Sequence, residues 1–142
     1  MNDLLPRLSA LVTKDHVSLG GLSQADQALT LAIVHATLPP AATLTEREVN
    51  EKLKAALAGA ACWLDTDHVE LRRWLVDAGW MTRDGFGHRY QVLAHSVLRA
   101  EHQAPARLLA TVDVTRWVAA ERARRSEERA ARKARWLAAP GA

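Results

Sequence analysis

Apolar residues recur every three or four positions over several stretches of the chain, which is the spacing of amphipathic α-helices. This spacing predicts a short helix over residues 4–13 and a connector over residues 17–22. A longer helix follows Ser23, because Ser23 and Asp26 have the spacing of a capping box. We expect Pro39-Pro40 to end it.

Two further helices follow with the same pattern. Thr45 and Glu48 form a Thr-x-x-Glu capping box at the start of the second long helix. The third is predicted from about Asp65 to Ala78, with Asp65 or Asp67 as its N-terminal cap.

Beyond the third helix the pattern changes to short extended runs. Residues 80–83 and 88–93 are predicted strands around an Asp84-Gly85 turn, which indicates a β-hairpin. Thr43-Leu44 is a further short strand, able to pair with the hairpin. Three helices followed by a hairpin is the order of a winged helix-turn-helix, so the predicted fold class is α+β with that core.

The C-terminal third has a different pattern from the rest of the chain. Residues 95–102 favour one or two helical turns, which Pro105 is expected to break. A long Ala/Arg-rich helix is predicted from Asp113 to about Ala138, and its sparse apolar stripe indicates packing at its ends alone. Within it, Glu121–Arg125 and Glu128–Arg132 are expected i, i+4 ion pairs.

The chain therefore divides into four predicted parts. They are an N-terminal helical segment and connector (1–22), a winged-helix domain (23–93), a connector (94–112) and a basic C-terminal helix (113–142).

Several runs of the sequence resemble one family. Residues 45–53, TEREVNEKL, and residues 67–77, DHVELRRWLVD, are similar to its two signatures, and Gly79, residues 82–85 and Tyr90 continue the match. The family is an uncharacterised bacterial one, catalogued as domain of unknown function 2087, whose members occur alone or fused to helix-turn-helix regulators. The resemblance covers about residues 23–92 and implies the fold, but brings no established function. After Tyr90 the family usually has Trp-Arg, whereas this chain has Gln-Val.

Charge is distributed unevenly over the 142 residues. The net charge is +3, but residues 1–112 hold 11 basic and 12 acidic side chains, and residues 113–142 hold 8 basic and 4 acidic ones. Attraction to a polyanion is therefore expected mainly of the C-terminal helix.

The leading hypothesis is a non-enzymatic, DNA-binding bacterial transcriptional regulator. With its apolar stripe inward, the third helix directs Thr66, Val69 and Arg73 outward as candidate contacts to the bases of double-stranded DNA. The candidate phosphate contacts are Arg72, Arg83, Arg89, Arg122, Arg125, Arg129, Arg132 and Lys133.

Charge on the third helix keeps two alternatives open. Four acidic side chains accompany Arg72 and Arg73, so the helix is acidic and repels phosphates. In one alternative these arginines pair within the fold with Glu48, Glu51 or Asp77. In the other, the outward Val69 and Val76 bind a protein partner.

The basic helix also has alternatives. It is either a phosphate-tracking arm, a solvated helix whose charges maintain solubility, or a helix that docks on a partner through Trp117 or Trp136. A homodimer is a further possibility, because regulators of this size often bind paired half-sites.

The sequence offers few candidates for catalytic or metal-binding residues. Cys62 lies among apolar residues and is expected to be a buried, inert thiol. His68 is expected on the core face, with one nitrogen bonded. The seven-residue spacing of His88, His95 and His102 does not match common metal-ligand spacings. We therefore expect no enzyme activity, cofactor or metal, and a soluble cytoplasmic protein without a membrane span.

Overall fold

Helices and three short strands account for most of residues 4–86 and 88–140, the part of the chain that this computed structural model describes. The fold is α+β. In chain order the elements are α1 (Leu4–Val12), α2 (Gln24–His35), β1 (Thr43–Thr45), α3 (Glu46–Ala58), α4 (His68–Asp77), β2 (Met81–Arg83), β3 (Arg89–Val92), α5 (Ala100–Leu109) and α6 (Val114–Ala138).

The strands form one antiparallel sheet in the order β1-β3-β2. Leu44 pairs with Tyr90 and Met81 with Val92, and all four side chains are buried. The neighbouring positions of these strands are exposed or half-exposed, so the sheet has one face on the core and one face in solvent. The prediction of a hairpin joined by a third short strand is confirmed.

Side-chain caps fix where the long helices begin. The predicted box is complete at α3, where Thr45 Oγ1 accepts from the Glu48 N–H and Glu48 Oε1 accepts from the Thr45 N–H. At α4 the cap is Asp67, which accepts from the Glu70 N–H at 2.8 Å. Of the two predicted caps, Asp65 and Asp67, the second is used and the helix begins at His68, while the Asp65 N–H bonds the Val17 carbonyl.

That bond also changes the interpretation of the N-terminal segment. Val17 forms a parallel bridge with Leu64, and a short 3₁₀ turn at Leu19–Gly21 follows it. Leu8, Leu11 and Val12 of α1 are buried in the same core as the other helices. Residues 17–22 thus hold the start of the chain against the segment that leads into α4.

The interval after the hairpin contains more helix than predicted. Helix α5 includes Pro105 and continues to Leu109, so the expectation that Pro105 breaks it was wrong. A proline removes one N–H and crowds one carbonyl of the preceding turn. Here Pro105, Ala106 and Leu109 are buried where α5 packs against α2, and this packing holds the helix together.

Helix α6 packs at one end rather than at both. Val114 and Val118 are buried, whereas every residue from 123 to 140 is exposed and Trp136 is 67% exposed. The predicted ion pairs have different partners: Arg124 bonds Glu121 at 2.7 Å and Glu128 at 2.6 Å. One arginine three residues after one glutamate and four before the other reaches both.

Arg122 attaches α6 to the N-terminal segment. Its Nη1 donates to the carbonyls of Val12 and Lys14 at 2.8 and 2.7 Å, and its Nη2 donates to Asp15 Oδ1 at 2.6 Å. The guanidinium thus satisfies carbonyls at the C-terminal end of α1, where a cation is also favoured by the helix dipole. The hydrogen bond from Arg122, together with its positive charge, lowers the pKa of the Asp15 carboxyl.

A chain of aromatic rings lies between α2, β2 and α5. The His35 Nε2–H donates to the Leu93 carbonyl at 2.8 Å, and the His35 ring lies 5.2 Å from that of Trp80. Trp80 also stacks on His102, with ring centroids 4.2 Å apart. Burial lowers the pKa values of both His35 and His102, so both rings are held neutral.

We expect Arg122→Ala to lower the free energy of unfolding by about 1–2 kcal/mol, since it removes charge-assisted hydrogen bonds in a partly solvated site. Arg125→Ala is the matched control: it lies on the same helix, is exposed and should cost less than about 0.5 kcal/mol. Urea denaturation at neutral pH measures both. Equal losses of stability for the two variants would contradict the attachment of α6 to the N-terminal segment by Arg122.

Stability should also fall as the pH drops below 6.5, the ordinary pKa of histidine. Below that value the unfolded chain binds protons that the folded chain, with its lowered pKa values, does not bind. Above pH 6.5 the two buried histidines make their full contribution to the free energy of unfolding. We expect His35→Gln to flatten the pH dependence of the free energy of unfolding between about pH 7.5 and 5. His88→Gln, on the exposed hairpin, should leave the slope as in the parent chain.

Candidate functional site

The outward face of α4 meets the edge of the hairpin in a shallow groove of about 120 Å³. Leu71 and Leu75, the apolar stripe of α4, face the core and fix the rotation of the helix. The residues that line the groove are Val69, Arg72, Arg73, Val76, Asp77, Arg83 and Tyr90. Four of these were assigned from sequence to the DNA-facing set: Val69, Arg72, Arg73 and Arg83.

Val69 and Arg73 are exposed on the same side of α4, with Val69 41% exposed. Arg73 makes no hydrogen bond or ion pair within the described part of the chain, so its guanidinium is available to a ligand. Thr66 differs: it precedes the Asp67 cap, is half-buried, and its hydroxyl donates to Glu70 Oε2 at 3.0 Å. Two of the three candidate base contacts therefore lie in the groove.

Arg72 is held by the fold. Its Nη1 donates to Asn50 Oδ1 at 2.6 Å and lies 3.2 Å from Glu46 Oε1, while its guanidinium sits 5.4 Å from the centre of the Tyr90 ring. These contacts join α3, α4 and β3. Pairing within the fold was the alternative proposed for Arg72 and Arg73. For Arg72 such a pair is present, but with Glu46 at the start of α3 rather than with Glu48, Glu51 or Asp77.

The hairpin contributes two arginines on different faces. Arg83 pairs in register with Tyr90 and points to the groove, whereas Arg89 pairs with Thr45 on the solvent face of the sheet. Neither side chain forms a hydrogen bond or ion pair with other residues that the structure describes. Arg89 lies near enough to Glu48 to help lower the pKa of that carboxyl, after the hydrogen bonds from Thr45.

The tip of the hairpin presents an apolar side chain that sequence reasoning did not single out. Phe86 is 83% exposed, and its ring lies 6.3 Å from that of His88. Asp84 Oδ1 accepts from the N–H groups of Phe86 and His88 and so shapes the turn. A phenylalanine in a turn of otherwise small and polar residues was the available signal.

Three basic side chains in the exposed part of α6 share one helix face. At 100° per residue, Arg125, Arg129 and Arg132 continue the helix face that begins with the buried Val114 and Val118. Lys133 lies beside this stripe and Trp136 ends it. Arg122 stands apart from the other predicted phosphate contacts, because it is held by α1.

Two expectations about catalytic residues were wrong. Cys62 is exposed rather than buried, because it points outward from the turn in which Ala61 and Trp63 face the core. His68, the first residue of α4, is half-exposed and makes no hydrogen bond within residues 4–86 and 88–140. Across the same residues, no group of three His, Cys, Asp or Glu side chains is arranged to hold a metal.

The helices of the described chain are too short or too polar to span a membrane.

Comparison with known proteins gives one relationship. No curated protein and no solved structure matches this chain. A family model does match over residues 22–92, the segment from the start of α2 to the end of β3. The chain belongs to the family described as "Uncharacterized protein conserved in bacteria (DUF2087)".

Proposed function

We propose that this chain is a non-enzymatic winged-helix protein that binds double-stranded DNA as a bacterial transcriptional regulator. The order α2, β1, α3, α4 and hairpin supports this reading, because a winged helix presents its third helix and its hairpin to the duplex. In this chain that third helix is α4, and the hairpin is β2–β3.

The observation that carries the proposal is the position of Arg73 and Arg83. Both guanidinium groups border the groove between α4 and the hairpin, and neither has an acidic partner among the described residues. Arg73 is suited to a guanine edge in the major groove, and Val69 beside it to a thymine methyl group. Arg83 and Arg89 then contact phosphates on either side of the hairpin.

The acidic groups of α4 weaken binding but do not cancel it. Glu70 accepts from Thr66 and lies in the first turn of α4, so part of its charge is used within the helix. Asp77 lines the groove itself and repels phosphate. The affinity that α4 lacks is supplied in this proposal by Arg125, Arg129, Arg132 and Lys133, which track the phosphate backbone.

A protein-binding role is the second candidate, and the apolar surface near the groove favours it. Val69 and Phe86 are both large and exposed, and Asp77 suits a basic partner better than a nucleic acid. The same surface cannot be optimal for both partners, because a phosphate backbone and an apolar protein face require opposite solvation.

We expect Arg73→Ala to weaken binding to a preferred duplex by about 1–3 kcal/mol. The duplex is first enriched from a randomised pool with the full chain, and affinity is then measured by fluorescence anisotropy. Arg107→Ala, on the exposed side of α5, is the control and should bind as the parent does. Failure to enrich any sequence, with no salt-dependent binding at low salt, would favour the protein-binding candidate.

The contribution of the arm is tested by replacing Arg125, Arg129, Arg132 and Lys133 with Gln. A truncation before α6 is less informative, because it also removes the buried Val114 and Val118. The slope of log affinity against log salt concentration is negative for a protein that binds phosphates. If all four groups neutralise phosphates, their replacement should make this slope less negative by about 3 to 4. The control makes the same charge change elsewhere, at Arg47, Lys52, Lys54 and Arg107. Equal changes in slope for both variants would show that overall charge, rather than the arm, is responsible.

A further inference from the structure

A cavity of about 560 Å³ opens between α1, α2, the C-terminal end of α4 and the start of α5. This volume falls within the range of small-molecule sites. Its lining is largely apolar, with Leu4, Leu29, Trp74, Ala78, Trp80 and Pro105 among the contributors. On α4, Trp74 and Ala78 lie on the side opposite Val69 and Arg73, so this cavity is separate from the groove proposed to meet DNA.

Two charges of opposite sign stand at the cavity. Arg99 and Glu101 both line it, both are exposed, and neither forms an ion pair within the described residues. Arg7, the third charged residue of the lining, is already paired with Asp26 at 3.3 Å. The cavity therefore offers one cation and one anion that are close in sequence and not paired elsewhere.

The start of α5 adds to the attraction for a carboxylate. Arg99 is the N-cap residue of this ten-residue helix, and its side chain makes no capping hydrogen bond. Its first N–H groups therefore have no side-chain cap, and uncapped N–H groups at a helix N-terminus favour a bound anion.

Two residues of the cavity wall carry buried nitrogen atoms. Trp80 and His102 are 0% and 5% exposed, and Trp80 Nε1 and His102 Nδ1 have no hydrogen-bond partner among the described residues. Both residues belong to the cavity lining and stack on each other. Buried polar atoms without partners are rare, and both of these belong to residues that line the cavity.

We propose that this cavity binds a free α-amino acid with an apolar aromatic side chain. The α-carboxylate contacts Arg99 and the first turn of α5, the α-ammonium contacts Glu101, and the ring occupies the apolar interior against Trp74. A simple organic acid makes no contact with Glu101 and a simple amine makes none with Arg99, so each lacks one charge pair that the amino acid forms. The proposal goes beyond DNA binding and is tested without DNA.

The experiment titrates the full chain with L-phenylalanine and follows the indole N–H cross-peaks in ¹H–¹⁵N spectra. The peaks are assigned with single Trp→Phe variants, beginning with Trp74→Phe. We expect the peaks of Trp74 and Trp80 to shift as ligand is added, and the shift to saturate. The peak of Trp136, at the far end of α6, should stay in place and serves as the internal control. 3-Phenylpropionate lacks the ammonium and phenethylamine lacks the carboxylate, so each should bind about tenfold more weakly.

Three variants connect the binding to the cavity. Arg99→Gln should weaken the binding of L-phenylalanine about tenfold and leave the binding of phenethylamine unchanged. Glu101→Gln should weaken the binding of L-phenylalanine by a similar factor and leave the binding of 3-phenylpropionate unchanged. Ala104→Phe fills the cavity from an exposed position, so the fold is retained while binding is lost. Arg107→Gln, on the same helix, should bind as the parent does.

Absence of any shift at Trp74 and Trp80 in tens of millimolar L-phenylalanine would overturn the proposal. So would binding that survives Ala104→Phe, which would place the ligand elsewhere. Equal affinity for the amino acid and both analogues would overturn the pairing of its two charges with Arg99 and Glu101.

Discussion

The chain reversal at Gly79 is the constraint on which the arrangement of α4, the sheet and α5 depends. Gly79 has φ +86°, a conformation that residues with a side chain rarely adopt. A Cβ at this position would also lie 3.1 Å from Arg99 Nε. Glycine therefore allows α4 to end abruptly and Arg99 to lie across its end. The next residue, Trp80, enters the core at full burial.

Trp80 then joins α2, α5 and the sheet. Its ring is tilted against that of His35 of α2 and stacked on that of His102 of α5. The sheet follows directly from Met81. The position of α4 is thus set at its end by an aromatic contact and along its length by Leu71 and Leu75. Because α4 borders the groove on one side and the cavity on the other, the same packing positions both candidate sites.

Local signals in the sequence predicted much of this fold. The Thr45–Glu48 box, the Asp67 cap and the turn at Asp84 each involve residues within four positions of one another, and all are present. The sequence left Asp65 and Asp67 as alternative caps of α4, because the bridge between Leu64 and Val17, nearly fifty residues apart, is not a local signal. Helix α5 was interrupted in the prediction because the cost of Pro105 is local, whereas the compensating contacts with α2 are not.

The candidate sites follow the same division. Helical periodicity predicted that Val69 and Arg73 face outward, since that depends on the rotation of one helix. It did not predict that Arg72 bonds Asn50 and Glu46, which requires the crossing of α3 and α4. The cavity was not anticipated at all, because its walls come from four helices that are distant in the sequence.

Helix α6 combines two roles in a single stripe. Near its start the stripe is apolar and buried, then Arg122 bonds the end of α1, and from Arg125 onward the same face is basic and exposed. Fixing the first two turns against the body orients the rest of the helix without further contacts. An arm directed in this way loses less conformational entropy on binding a polyanion than a disordered basic tail would. The attachment by Arg122 is therefore as important to the proposed arm as the charges it presents.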